Sequence, residues 1–120
     1  MKIRIKENSI RLRLTKSEVE DFLRVGHYNQ TCKIGINVLS YTLKSSEEAE
    51  NLMAVFEKDE ITVYMPISYL HQWKAADKVG FTNNVIMEDE TSLLLKVEKD
   101  FVCLDDTDED QSDNYPNPRG

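Results

Sequence analysis

Five cationic side chains near the start of the chain are the residues best placed to do chemistry. If Glu7 and Asn8 form a two-residue turn, residues 1–14 make a β-hairpin whose side chains alternate between two faces. One of these faces carries five cations and is called the basic face: Lys2, Arg4, Lys6, Arg11 and Arg13. Like charges opposite one another on paired strands destabilise a sheet by up to ~1 kcal/mol per pair. The basic face therefore predicts a nearby anion, and these five residues are the predicted anion-binding site.

A second interpretation of the basic face needs no ligand. The cations would form a solvated outer surface, with their aliphatic stems spread over the sheet. Acidic side chains of neighbouring strands, or the acidic C-terminal segment, would then be the counterions. The other face of the hairpin is apolar and is predicted to point into the core: Ile3, Ile5, Ile10, Leu12 and Leu14.

No other residue pattern indicates catalysis or a bound metal. The potential metal ligands occur singly: His27, His71, Cys32 and Cys103. A structural zinc site needs four ligands. Asp106, Asp108 and Asp110 alternate like the start of a calcium loop, but the glycine and the closing glutamate of that loop are missing. We predict no catalytic residue, no metal and no cofactor, and we expect both cysteines to be buried free thiols.

The pattern of the first half of the chain recurs in the second half. Shifted by 51 residues, KIRIKENSIRLRLTKSEVEDFLRVG lies on MAVFEKDEITVYMPISYLHQWKAAD without a gap. In both copies a predicted hairpin leads into a helix, which begins at the capping-box pattern Thr15–Glu18 in the first copy and at Pro66 in the second. Strand pairs at 28–34 and 38–44, and at 79–87 and 92–104, complete the two copies. Each half is therefore predicted to be a ββαββ unit, and we infer a duplication.

These units predict an α+β protein with about eight strands and two helices. The strands are expected to form one curled, mostly antiparallel sheet or a barrel, because closure would remove exposed edges. The predicted domain covers residues 1–104, with repeats at 1–50 and 51–104. Residues 105–120 form an acidic tail without an apolar period, in which Tyr115 and the following prolines could dock as an extended strap.

Charge and composition exclude several classes of partner. The net charge is −7, and the tail alone holds six acidic residues against Arg119. A nucleic-acid partner is not expected, because phosphate contacts need a basic protein surface. No apolar run approaches the roughly 18 residues of a membrane span. Without a recognisable secretory signal, the expected location is the cytoplasm.

Two resemblances extend this interpretation. The ends of the chain, MKIRIKENSIRLRLTKSEVE and VEKDFVCLDDTDEDQSDNYPNP, resemble a family of small uncharacterised bacterial proteins, mostly of Bacteroidetes type. That resemblance runs the full length and implies no known activity. The doubled hairpin-helix unit is similar in architecture to the triphosphate tunnel (CYTH) phosphatases, whose first strand carries Glu-x-Glu-x-Lys. Here that strand is Lys2-Ile3-Arg4-Ile5-Lys6, so the resemblance implies a topology and no catalytic residues.

Three functions follow from these observations. The first is a non-enzymatic cytoplasmic protein that binds an anionic small molecule or an acidic protein segment through the basic face. The second is a small phosphohydrolase-like enzyme with a degenerate tunnel. The third is a structural homodimer without a ligand, in which apolar strands such as residues 52–56 form the interface.

Overall fold

The strands form two separate sheets. The computed structural model describes residues 1–75, 77–101 and 111–116. The elements in chain order are β1 (Lys2–Lys6), β2 (Ser9–Leu14), α1 (Lys16–Val25), β3 (His27–Ile34), β4 (Asn37–Ser46), β5 (Met53–Glu57), β6 (Glu60–Pro66), α2 (Ile67–Trp73), β7 (Gly80–Ile86) and β8 (Ser92–Lys99). The first sheet has the order β1-β2-β8-β7, and the second has the order β3-β4-β6-β5.

The prediction of one curled sheet or a barrel is wrong, although the α+β class and the eight strands are confirmed. Each sheet joins two antiparallel hairpins through a central parallel pair, β2 with β8 and β4 with β6. In the described residues the outer strands β1, β7, β3 and β5 each pair with one neighbour only, so the sheets do not close into a ring. The two apolar faces instead pack against each other, which buries them without closure.

The core lies between the sheets and is completed by the helices. Inward-facing residues of the inner strands are fully buried, among them Leu12, Leu43, Val63 and Leu95. The helix α1 contributes Phe22 and α2 contributes Trp73, and the centroids of these two rings are 6.1 Å apart in an edge-on arrangement. Both side chains are almost completely shielded from solvent and belong to the core.

Local signals in the sequence explain where α1 begins and ends. The Glu18 carboxylate accepts a hydrogen bond from the Thr15 backbone amide at 2.9 Å, as expected for the capping-box pattern. The helix ends at Gly26, whose φ of 88° lies in the left-handed region that favours glycine. Neither helix of the described residues is long and apolar enough to be a membrane-spanning segment.

The strand orders of the two sheets are related by the predicted repeat. Exchanging the first four strands for the last four converts β1-β2-β8-β7 into β5-β6-β4-β3, which is the second sheet written in reverse. Equivalent hydrogen bonds close both hairpin ends: the Leu94 amide donates to the Asn8 carbonyl and the Ser40 amide to the Asp59 carbonyl, each at 3.1 Å. The topology is compatible with a duplicated unit, and the duplication itself stays a prediction.

Part of the C-terminal segment contacts the domain. The Lys16 amide donates to the Asp113 carbonyl at 3.0 Å, and the Tyr115 amide donates to the Asp100 carbonyl at 2.7 Å. The Tyr115 ring lies 5.8 Å from that of Phe101. The acidic residues 105–110, which include the incomplete calcium-loop pattern, and Cys103 lie outside the described residues.

Candidate anion-binding face

The predicted hairpin and its register are confirmed. The strands β1 and β2 pair with Lys2 opposite Arg13, Arg4 opposite Arg11 and Lys6 opposite Ser9. The intervening pairs, Ile3 with Leu12 and Ile5 with Ile10, place the apolar side chains on the opposite face. The basic face is therefore the outer face of the first sheet.

A strand from the far end of the chain extends the basic face. In the parallel pair of β2 with β8, Arg11 lies opposite Lys96 and Arg13 lies opposite Glu98. Three cations, Arg4, Arg11 and Lys96, consequently form one row across three neighbouring strands. Because directly opposed like charges repel, this row needs compensation from outside itself.

A shallow hollow lies over this row. Its volume is about 190 Å³, and its lining residues are Arg4, Lys6, Ser9, Ile10, Arg11, Leu94 and Lys96. Three of the five predicted residues line it, while Lys2 and Arg13 lie outside it in the next row along the sheet. Lys96 was missed by the prediction, because a parallel partner 85 positions away in the chain leaves no local sequence signal.

Two carboxylates compensate part of the positive charge. Glu98 Oε1 lies 3.1 Å from Arg11 Nε and 3.8 Å from Arg13 Nε, and Asp100 Oδ2 lies 3.0 Å from Lys2 Nζ. Among the residues that the structure describes, no carboxylate is within ion-pair distance of Arg4, Lys6 or Lys96. The carboxylates of Glu98 and Asp100 therefore compensate the cations at the Lys2 end of the basic face. The hollow stays positively charged.

The Ser9 hydroxyl fixes the edge of the hollow. Its Oγ donates to the Lys6 carbonyl oxygen at 2.6 Å across the turn. That proton is therefore used inside the hairpin, and Lys6 and Ser9 are held together at the end of the hollow. Leu94, on the same face of β8 as Lys96, gives the hollow an apolar part, and a surface of low polarity beside cations strengthens their field.

The potential metal ligands and thiols noted in the sequence do not form a site in the described part of the chain. Cys32 is an exposed free thiol, so the expectation that it is buried is wrong. Cys32 is on β3, which is an outer strand of the second sheet. Among the described residues, no three His, Cys, Asp or Glu side chains lie together in a group that could hold a metal ion.

Lys99 is a shielded cation at the opposite end of β8. Burial lowers the pKa of its ammonium group, whose Nζ donates to the Ala75 carbonyl at 3.0 Å and lies 5.2 Å from the centre of the Tyr115 ring. The contact with Tyr115 connects Lys99 to the described part of the C-terminal segment. These contacts account for this lysine without a ligand.

Comparison with known proteins adds a family and no activity. One family model matches residues 1–119, and its description is "Family of unknown function (DUF7009)". No curated protein matches the chain, and no solved structure does.

Proposed function

Since the chain belongs to this family of unknown function, we propose a function from its geometry: the protein binds a small oxyanion, such as a phosphate group, in the hollow of the basic face. The observation that carries this proposal is the row of Arg4, Arg11 and Lys96 on three adjacent strands. Of these three, the structure gives an ion pair within its described part to Arg11 alone.

The chemistry of the lining residues favours an oxyanion. Two guanidinium groups and two ammonium groups converge on the hollow, and guanidinium forks match the oxygen geometry of phosphate and carboxylate groups. A volume of about 190 Å³ suits the anionic group of a ligand and is too small to enclose a nucleotide. The remainder of a larger ligand would lie on the open surface.

The alternative of a solvated surface predicts a different role for the same side chains. If Arg4 and Lys96 mainly cover the sheet with their stems, then removing them should lower the free energy of unfolding. If they form an anion site, removing them should relieve repulsion and leave the anion-free protein at least as stable. The two interpretations therefore predict changes of opposite sign in the free energy of unfolding of the anion-free protein.

The experiment compares three proteins by thermal unfolding and by calorimetric titration with inorganic phosphate. The test variant is Arg4→Ser/Lys96→Ser, which leaves the Arg11–Glu98 ion pair intact. The control is Lys33→Ser/Lys44→Ser, which removes the same charge from exposed positions on the second sheet. Sodium chloride at equal ionic strength corrects for screening, and the test variant itself corrects for the general stabilisation that phosphate gives folded proteins.

We expect phosphate to raise the melting temperature of the wild type and the control more than that of the test variant, whose rise beyond the chloride reference measures the general effect of phosphate. An equal phosphate response in all three proteins would contradict the proposal. So would a test variant that is clearly less stable than the wild type without phosphate, because its side chains would then be structural.

A further inference from the structure

An apolar cavity opens between the two sheets at the end opposite the helices. Its volume is about 540 Å³, within the range of natural ligand pockets. Both sheets line it: Ile5, Glu7, Asn8, Ser9, Ile10, Leu39, Ala54, Val55, Phe56, Ile61, Met87 and Leu93. Most of these residues are apolar, and the cavity lies on the opposite face of the first sheet from the basic face.

At this end of the molecule the inward-facing side chains of both sheets are still apolar, but the two sheets are separated by the cavity. Ile5 pairs with Ile10 and Phe56 pairs with Ile61, so both side chains are on the inner faces of their sheets. Nevertheless, Ile5 is 58% exposed and Phe56 is 68% exposed. One step deeper along the inner strands, Leu12 and Val63 are fully buried. Exposed apolar side chains gathered at one opening are typical of a binding site.

Two polar side chains at the opening, those of Asn8 and Ser9, form hydrogen bonds within the protein. Asn8 Nδ2 donates to the Ser92 carbonyl at 2.6 Å, and the Ser9 hydroxyl donates to the Lys6 carbonyl. One N–H of the Asn8 amide group and the Ser9 hydroxyl proton are therefore used within the protein. Most of the surface that the cavity offers to a ligand consists of aliphatic side chains and one aromatic ring.

The rim around the opening is acidic. The charged residues in the turns that join paired strands at this end are Glu7, Lys58, Asp59, Glu88, Asp89 and Glu90. Five acids and one lysine repel a ligand with an anionic end, and they also oppose the approach of a second copy through the same opening. The rim favours an uncharged or cationic group there.

We propose that the cavity binds a single hydrocarbon chain whose polar end is uncharged or cationic and stays at the acidic rim. A volume of about 540 Å³ is in the range of pockets that hold small-molecule ligands, which leaves room for one hydrocarbon chain. Because the cavity is open on one side, we expect a chain of roughly 8 to 14 carbons to fill it.

The experiment is a titration of the wild-type protein with n-alkanols and n-alkylamines of 6 to 16 carbons, below their aggregation limits. Each added methylene should tighten Kd by up to about fourfold until the cavity is full, after which the gain should stop. In methyl NMR spectra, the signals of Ile5, Ile10 and Ile61 should shift with occupancy, while that of Ile67 on α2 should not.

Two phenylalanine variants locate the site. Ala54→Phe places a ring in the cavity and should abolish binding of the longer chains by at least tenfold in Kd. Met53→Phe adds a ring on the same strand at an exposed position facing the other way, and it should bind like the wild type. The wild-type NMR shifts decide the outcome if Ala54→Phe folds poorly.

The alkanoates of the same lengths separate this proposal from the anion site. They should bind in the cavity more weakly than alkanols, and any binding to the basic face should be unaffected by Ala54→Phe. The proposal is wrong if affinity is independent of chain length, if alkanoates bind best in the cavity, or if Ala54→Phe leaves alkanol binding unchanged. A dimer at micromolar concentration that alkanols do not dissociate would assign the apolar opening to a second copy instead.

Discussion

Replacing Glu98 with glutamine should lower stability and raise anion affinity at the same time. Its carboxylate lies 3.1 Å from Arg11 Nε and 3.8 Å from Arg13 Nε, and all three side chains are between about a quarter and two-fifths exposed. Ion pairs with this exposure contribute about 0.2–1 kcal/mol each, after screening by solvent. The variant should therefore lose about 1 kcal/mol in free energy of unfolding without phosphate, or roughly 4 °C in Tm for a domain of this size.

The gain in affinity follows from the position of Glu98 beside the hollow. It is two residues from Lys96 on the same face of β8, a spacing of roughly 6–7 Å along a strand. At that distance, unit charges in water interact by about 0.6 kcal/mol. Removing the carboxylate charge should therefore tighten phosphate binding by roughly threefold.

The assay measures Tm of the wild type and Glu98→Gln across a phosphate series at constant ionic strength. The stabilisation by a ligand grows as the logarithm of its concentration over Kd, so the gap between the two curves should narrow as phosphate rises, by up to about 0.6 kcal/mol. Calorimetric titration measures the change in Kd directly. Curves that stay parallel, with the variant below the wild type by the same amount at every phosphate concentration, would refute the reasoning about the hollow.

Two further predictions test the fold. Gly80→Ala should lower the free energy of unfolding by about 3 kcal/mol or more, because the added Cβ would lie 2.2 Å from the Val97 carbonyl oxygen on the paired strand. Gly35→Ala should lower it by only about 1–2 kcal/mol, because the space there is open and only the φ of 63° is strained. Denaturant unfolding measures both changes. For Glu18, burial alone would raise the pKa, but hydrogen bonds from the Met1 amino group and the Thr15 amide outweigh burial and lower it. The native pKa is thus below the unfolded value, so the stabilising contribution is present above about pH 4.5 and is lost as the pH falls through the lowered pKa. Glu18→Gln should be less stable than the wild type at pH 7, with the difference disappearing in acid; a constant difference across pH would contradict this.

Much of the local structure could be predicted from the order of residue types. Alternation along residues 2–14 determines which side chains share a face, because successive residues on a strand point to opposite sides. The two-residue turn at Glu7-Asn8 then determines the register, and the observed pairing of Arg4 with Arg11 follows. The helix signals at Thr15 and Gly26 also act within a few residues, so they could be recognised without knowledge of the rest of the chain.

Only the tertiary structure decided how the hairpins combine. A parallel pair such as β2 with β8 joins strands from opposite ends of the chain, and its register depends on packing between two apolar faces. That pairing brings Lys96 to the basic face and Glu98 to its arginines. It also produces two sheets instead of one, and with them the open apolar cavity. These features depend on contacts between residues far apart in sequence. The sequence alone therefore determined which side chains share a face of each hairpin, and tertiary packing determined which strands and side chains each face contacts.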